Sequence, residues 1–136
     1  IYMTKKLKKL HNWLDNKGYS LKWSNTDQVD YTNQTVEICS KQSSKNQLYS
    51  LLHECGHIIV SRRRSYDKLF KAVNKANVDG RVMRSDIYKY QQLREEIEAW
   101  ESGAKLAEKL DIKIDKDDYD KYAAKCFKTY IKSYAQ

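Results

Sequence analysis

Apolar residues at helical spacing open the chain and then give way to short alternating stretches. Leu7, Leu10 and Leu14 recur every three or four positions, which predicts an amphipathic helix over residues 4–17. Gly18 follows at the point where a helix end favours a residue that tolerates positive φ. Apolar and polar residues then alternate in three short segments, which predicts three strands. Their apolar positions are Tyr19, Leu21 and Trp23, then Val29 and Tyr31, then Val36 and Ile38.

The remaining pattern predicts one hairpin and then mostly helices. We expect the second and third strands to form the hairpin, with its turn at Asn33-Gln34. Further helices are predicted at residues 46–62, 67–77, 85–110 and 117–134. The cluster Asn77-Val78-Asp79-Gly80 interrupts the helical pattern before the third of these. The chain is therefore predicted to be a single α+β domain over residues 1–136, in which a small antiparallel or mixed sheet of about three strands packs against helices.

Charge and hydropathy indicate where the protein is expected to reside and which partners it can bind. The 136 residues include 26 Lys and Arg against 18 Asp and Glu, which gives a formal net charge of +8. No apolar run is long enough to cross a bilayer, and the first residues turn to charge at once. We therefore expect neither a membrane helix nor a signal peptide, and a cytoplasmic location. A basic protein meets polyanions readily, so nucleic acid is a candidate partner.

The segment His53-Glu54-Cys55-Gly56-His57 matches the pattern HExxH and lies inside a predicted helix. Histidines at this spacing stack one helical turn apart, so both imidazoles can reach one Zn²⁺ at about 2.0–2.1 Å. Glu54 projects beside them, where it can take a proton from zinc-bound water. At about 100° per residue, the apolar residues of the helix share the face opposite the two histidines. One face of this helix is therefore predicted to meet the core and the other a metal site.

A hydrolytic zinc site needs a third protein ligand, and a later helix offers glutamates. They are Glu95, Glu96, Glu98 and Glu101. Glu96 alone points into the apolar stripe of that helix, where a buried carboxylate needs a partner, so it is our first choice of ligand. Glu95, at the edge of the stripe, and Glu98 remain alternatives. A further alternative is that Glu96 pairs with an arginine, such as Arg94 or Arg81, and binds no metal.

Small residues beside Glu96 favour a close approach of the two helices. Ala99 and Gly103 lie on the same helix face as Glu96. Because the distance between packed helices depends on the side chains at their contact, we expect this helix to lie very near the HExxH helix.

A short strand at residues 35–40, the helical segment Leu51-Leu52-His53-Glu54-Cys55-Gly56-His57 and the later segment Glu96-Ile97-Glu98-Ala99 occur in this order. The combination resembles the minimal zincins of the ImmA/IrrE family, although Trp100 stands where that family often has Asn or Glu. Members of the family are compact zinc metallopeptidases of bacteria and their mobile elements, and several cleave a transcriptional repressor. The resemblance covers residues 19–110. It implies a zincin-like fold that binds Zn²⁺ through His53, His57 and Glu96, with Glu54 as the general base.

The first functional hypothesis is a zinc metallopeptidase that hydrolyses a peptide bond in a protein substrate. Glu54 would accept a proton from the attacking water and pass it to the leaving nitrogen. The strand at residues 36–40 is expected to pair with an extended substrate, as exposed sheet edges do. Tyr66, Tyr88 and Tyr90 are among the candidates for the donor that stabilises the oxyanion.

The second hypothesis is a basic nucleic-acid-binding or regulatory module with a non-catalytic metal site. Its phosphate contacts would come from Arg62-Arg63-Arg64 and from Lys5, Lys6, Lys8 and Lys9. The arginines also suit a helix C-terminus, where cations complement the helix dipole. A structural zinc site needs no acid at Glu54, which favours the peptidase. Both hypotheses combine in a peptidase whose positive surface brings it to a DNA-bound regulator.

Overall fold

The computed structural model describes residues 3–76 and 79–135 and contains the predicted combination of helices and a small sheet. The chain begins with α1 (Lys5–Asn16), β1 (Ser20–Ser24), β2 (Gln28–Asp30) and β3 (Thr35–Cys39). It continues with α2 (Ser44–Ser61), α3 (Tyr66–Leu69), α4 (Lys71–Ala76), a 3₁₀ helix (Gly80–Arg84), α5 (Asp86–Lys109) and α6 (Lys116–Tyr134). The predicted α+β class is confirmed. Within the described residues, every helix is too short or too polar to cross a membrane.

The end of α1 shows why a glycine stands at position 18. Gly18 has a φ of +82°, which side chains with a Cβ rarely adopt. Its N–H donates to the Asp15 carbonyl at 3.0 Å, and the N–H of Tyr19 donates to the Leu14 carbonyl at 2.9 Å. These two bonds form a Schellman motif, which satisfies the last carbonyls of the helix and turns the chain into β1.

The sheet is mixed, with the strand order β1-β3-β2. β1 runs parallel to β3, whereas β2 and β3 form the predicted antiparallel hairpin. Gln34 closes the hairpin turn with a φ of +50°, and Asp30 accepts a hydrogen bond from the backbone N–H of Asn33 at 3.0 Å. β3 pairs with β1 at residues 35–39 and with β2 at residues 35–37, and the N–H of Cys39 donates to the Asp27 carboxylate at 2.7 Å, so β3 is the central strand and offers no free edge. The expectation that the strand at residues 36–40 binds an extended substrate is therefore wrong, and β2 is an edge strand instead.

The helix expected at residues 67–77 is divided at Phe70. Its backbone leaves the helical conformation, with φ −120° and ψ 36°, while its side chain is fully buried. The backbone N–H of Ala72, near the start of α4, donates to the Gln91 side chain of α5 at 2.7 Å. Contacts with the rest of the fold therefore override the local helical pattern. The predicted end of this helix and the first part of the break, Asn77-Val78, lie outside the described residues.

The core lies between the sheet, α1 and the helices α2, α5 and α6. Each of these elements contributes apolar side chains that are almost inaccessible to solvent. They include Leu7, Leu10 and Leu14 of α1, Val36 and Ile38 of β3, Leu51, Leu52, Cys55 and Ile58 of α2, Leu106 of α5 and Tyr119 of α6. The apolar face predicted for the HExxH helix is therefore buried.

The backbones of α2 and α5 approach each other closely where small residues face each other. A Cβ on Gly56 would lie 2.7 Å from the carbonyl carbon of Ala99 and closer still to its oxygen. A Cβ on Gly103 would lie 2.8 Å from the carbonyl carbon of Leu52 and 2.9 Å from the hydroxyl of Tyr119. Both helices therefore need a glycine at this crossing, in agreement with the close approach expected from the sequence.

We predict that Gly56→Ala destabilises the protein by about 2–3 kcal/mol, because an added methyl group overpacks the crossing. This is the reverse of the usual effect, since Ala is favoured over Gly in a helix by about 1 kcal/mol. Urea unfolding with excess chelator present measures the change without a contribution from bound metal. Gly80→Ala is the control, because nothing lies within 4 Å of a Cβ at that position. Equal stability of Gly56→Ala and wild type would contradict the close crossing.

Candidate metal centre

α2 presents the two histidines of the HExxH segment one turn apart on the same face. The helix begins after Ser43, whose side chain accepts a hydrogen bond from the N–H of Asn46 at 3.2 Å and so caps the first turn. The side chains of His53 and His57 are 14% and 12% exposed. Their ring centroids lie 4.5 Å apart. The imidazoles therefore meet at the floor of a cleft, not on an open helix surface.

Glu96 of α5 lies between these imidazoles. Its Oε2 is 2.8 Å from Nε2 of His53, and its Oε1 is 3.2 Å from Nε2 of His57. The hydroxyl of Tyr130, on α6, donates to Oε1 at 3.1 Å. One carboxylate thus joins the inner nitrogens of both rings, and three helices supply the groups that meet there.

Glu54 and Glu95 lie against the outer nitrogens of the same two rings. Glu54 Oε1 is 3.4 Å from Nδ1 of His53, and Glu95 Oε1 is 3.4 Å from Nδ1 of His57. The hydroxyl of Tyr66 donates to the other oxygen of Glu95 at 3.3 Å. An outer-nitrogen contact with a carboxylate is typical of metal-binding histidines, because it fixes the ring orientation and leaves the other nitrogen for the metal.

The arginines considered as partners of Glu96 contact other acids. Arg94 lies 3.2 Å from Glu98, one turn along α5, and Arg81 lies 3.1 Å from Asp79. Within the described residues, neither arginine forms an ion pair with Glu96. Its pairing is with the imidazoles.

These buried contacts shift the pKa values of the paired groups. Burial alone would raise the pKa of Glu96, but hydrogen bonds from His53 and His57 outweigh it and hold that pKa well below its usual range. Burial alone would lower the pKa of His57, but hydrogen bonds to Glu95 and Glu96 outweigh it and raise that pKa well above its usual value. Because a metal binds neutral imidazole, binding here must release protons.

The donor set could hold a metal ion. Ligand atoms of His53, Glu54 and His57 all lie within 4.8 Å of one another and could hold such an ion. Glu96 offers a second choice of carboxylate, and its geometry is better: it reaches Nε2 of both rings, whereas Glu54 lies against only Nδ1 of His53. Imidazole nitrogens with one carboxylate oxygen are a ligand set that Zn²⁺ accepts.

Two aromatic residues that were not predicted as site residues also contact the site. Trp100 stacks flat on His53, with ring centroids 4.0 Å apart and an angle of 6° between the planes. Tyr130 reaches Glu96 from a helix that is distant in sequence. A sequence signal for Tyr130 exists, because Tyr122, Cys126 and Tyr130 recur at helical spacing and share one face of α6.

An open cleft of about 480 Å³ lies over the imidazoles and the carboxylates. Its walls come from α2, α5, α6 and the segment around β2. The charged residues that line it, apart from the histidines, are all acidic: Asp27, Glu54, Glu95 and Glu96. No Lys or Arg lines the cleft in the described part of the chain. Although the protein carries a net positive charge, this cleft favours cations.

Comparisons of the chain with protein-family models, with curated proteins and with solved structures find no match. The site itself consists of an HExxH segment on a helix, with a His-Glu-His group that could hold a metal ion.

We predict about one Zn²⁺ per chain, as expected of a single three-ligand site. Substitution of a residue that only supports a metal ligand lowers metal affinity by about 10–100-fold. His53→Ala and Glu96→Ala each remove a ligand, so each should lower zinc affinity by more than that. Glu54→Gln should keep the metal, as should the control Glu101→Gln on the exposed face of α5. Elemental analysis measures the zinc content, and competition with a chelator measures the zinc affinity. Zinc lost in Glu54→Gln but kept in Glu96→Ala would identify Glu54 as the ligand.

Proposed function

We propose that the protein is a zinc metallopeptidase of the ImmA/IrrE type that hydrolyses a peptide bond in a protein substrate. The observation that carries this proposal is the Glu96 carboxylate, held against Nε2 of both His53 and His57 beneath an open cleft. Zn²⁺ bound by these side chains would act as a Lewis acid on a substrate carbonyl and lower the pKa of a coordinated water to about 7.

Glu54 is the proposed general base. It lines the cleft beside His53 and is only 5% exposed. Its carboxylate would accept a proton from the water that attacks the amide carbon. The same proton then passes to the leaving nitrogen as the C–N bond breaks, which regenerates the carboxylate. Trp100 and Glu95 support this step indirectly, because they fix the orientations of the His53 and His57 rings.

Tyr130 is the proposed donor to the oxyanion that forms on the substrate; its single O–H would turn from Glu96 to the oxyanion once that carboxylate binds zinc. Its hydroxyl lies 3.1 Å from Glu96 Oε1, next to the metal ligands, and it lines the cleft. Burial and the nearby Glu96 carboxylate raise the pKa of the Tyr130 phenol, so the hydroxyl keeps its proton at neutral pH. The three tyrosines expected from the sequence, Tyr66, Tyr88 and Tyr90, do not line the cleft.

β2 offers a place for an extended substrate. It forms an edge of the sheet, and its residues Gln28 and Val29 line the cleft. An added strand at a sheet edge gains main-chain hydrogen bonds, and its side chains alternate between the two faces. A substrate segment along β2 would thus pass beside His53 and Glu54. This replaces the role first expected of β3.

Nucleic-acid binding through the basic surface is the second candidate function, and the contacts of the basic residues give it less support. Arg62 donates to the carbonyl of Lys17 at 2.9 Å, and Arg63 donates to the Glu98 carboxylate at 2.8 Å. Lys6 and Lys9 donate to backbone carbonyls in the connection between α5 and α6. These cations therefore hold parts of the fold together. A DNA-bound regulator remains a candidate substrate, because the net charge of +8 attracts polyanions at long range.

We predict that the zinc-loaded protein cleaves members of a proteome-derived peptide library and that Glu54→Gln slows cleavage by about 10²–10⁴-fold, the usual contribution of a general base. Glu54→Gln should still contain zinc, which separates loss of chemistry from loss of metal. Mass spectrometry identifies the cleaved bonds, and incorporation of ¹⁸O from labelled water shows hydrolysis.

Removal of zinc by a chelator should stop cleavage, and added zinc should restore it. Glu101→Gln should cleave at the wild-type rate, because Glu101 is exposed and does not line the cleft. The peptidase proposal fails if the wild type contains zinc but cleaves no peptide, or if Glu54→Gln cleaves as fast as wild type.

We predict that Tyr130→Phe lowers kcat by about 10²–10³-fold, the effect of removing one oxyanion donor, while KM changes little. Zinc content should stay at the wild-type level, because the phenol binds Glu96 and not the metal. Tyr90→Phe is the matched control, since Tyr90 is 53% exposed and lies outside the cleft lining. A larger KM with unchanged kcat would show that Tyr130 contributes to substrate binding alone.

A further inference from the structure

A second cavity, of about 380 Å³, lies on a different face of α2 from the metal centre. The end of α1, the end of α2 and the second half of α5 form its walls. Successive residues of an α-helix are rotated by about 100° around its axis. Viewed down the axis of α2, the positions of Ile58, Ile59 and Arg62 are therefore rotated by about 120° or more from the mean position of the two histidines. The cavity is therefore separate from the cleft, and no role in the proposed peptidase reaction has been assigned to it.

The floor of this cavity is apolar. Ile58 and Leu106 are core residues with 0% and 4% exposure, and their side chains form its inner surface. Trp13 and Ile59 are partly buried and extend the apolar surface outward. Burial of an apolar group against such a surface is favourable, at about 25 cal/mol per Å². The floor therefore favours a ligand with a hydrocarbon or aromatic body.

The rim of the cavity is basic. The cationic residues that line it are Lys17, Arg62, Arg63, Lys105 and Lys109, and among the described residues no carboxylate lines it. The Glu98 carboxylate, just outside, offsets one of these charges through its ion pair with Arg63. Lys17, Lys105 and Lys109 are exposed, and within the described residues they form no ion pair. The rim therefore keeps an excess of positive charge.

We propose that this cavity binds a small amphipathic anion, with an apolar body on the floor and a phosphate or carboxylate group at the rim. The apolar floor alone gives an anion no binding energy, and the basic rim alone gives a hydrocarbon none. A ligand that combines both parts satisfies the whole cavity. The volume is within the range of small-molecule sites, about 300–1,000 Å³, and suits one such molecule. This proposal does not depend on the peptidase activity.

Octyl phosphate is a suitable probe, and isothermal titration with chelator present measures its binding. We expect saturable binding to the wild type. Inorganic phosphate, which lacks the apolar body, and octyltrimethylammonium, which has the opposite charge, should each bind at least about 10-fold more weakly. Equal binding of octyltrimethylammonium would overturn the proposal, because the site would then recognise only a hydrocarbon. Equal binding of inorganic phosphate would overturn it as well, because the floor would then contribute nothing.

Lys105→Glu tests the location of the site. Lys105 is exposed, so its charge reversal should leave the fold intact while weakening octyl phosphate binding by about 10-fold or more. Lys8→Glu is the matched control, because it changes the net charge equally at an exposed position of α1 outside the cavity lining. An equal loss of octyl phosphate binding in both variants would show that the net charge of the protein attracts the ligand and that this cavity does not bind it. Binding that persists in Lys105→Glu but disappears in His53→Ala would place the ligand at the metal centre, and either result would overturn the proposal.

Discussion

The contact between the backbones of α2 and α5 sets the positions of the two histidines and of Glu96 at the candidate metal centre. Gly56 lies between the two histidines of α2, and its Cα faces the backbone of Ala99 with no room for a side chain. Glu96 precedes Ala99 by one turn of α5, so the same contact places its carboxylate at the level of both imidazoles. A slide of one helix by a single residue, about 1.5 Å, would break this arrangement. The glycine that precedes the second histidine of the HExxH segment is thus a geometric requirement of the site.

The cost of burying charge explains the arrangement of the remaining groups. Burial of an unpaired carboxylate is costly, and Glu54, Glu95 and Glu96 are each less than a tenth exposed. Each of them lies against an imidazole nitrogen: Glu96 against both inner nitrogens, and the other two against the outer nitrogen of one ring each. All four ring nitrogens therefore have a carboxylate neighbour. A divalent cation bound to neutral imidazoles would take over from the displaced protons the role of balancing the three carboxylates.

The periodicity of the sequence predicted much of this arrangement. The remaining features depend on contacts between residues that are distant in sequence. The helical pattern predicted that Glu96 and Glu98 lie on different faces of α5. It could do so because the face of a helix on which a residue lies follows from its position in the helix. It underestimated the burial of Glu95, which is 8% exposed and accepts a hydrogen bond from Tyr66 of another segment. The pairing of β3 on both sides and the contact of Tyr130 with Glu96 depend on elements that are distant in sequence. The division of the helix at Phe70 has the same origin, since its side chain is buried by tertiary contacts.

Charge is divided between two faces of the α2–α5 pair. On the cleft face, the charged lining other than histidine is acidic, whereas the lining of the second cavity is basic. Opposite charges on a common face would pair and cancel, as Arg63 and Glu98 do. With the tightly packed helices between them, the two faces keep potentials of opposite sign in spite of the net charge of +8. The acidic face favours a metal cation, and the basic face favours an anion, so the net charge of the chain alone does not indicate what either face binds.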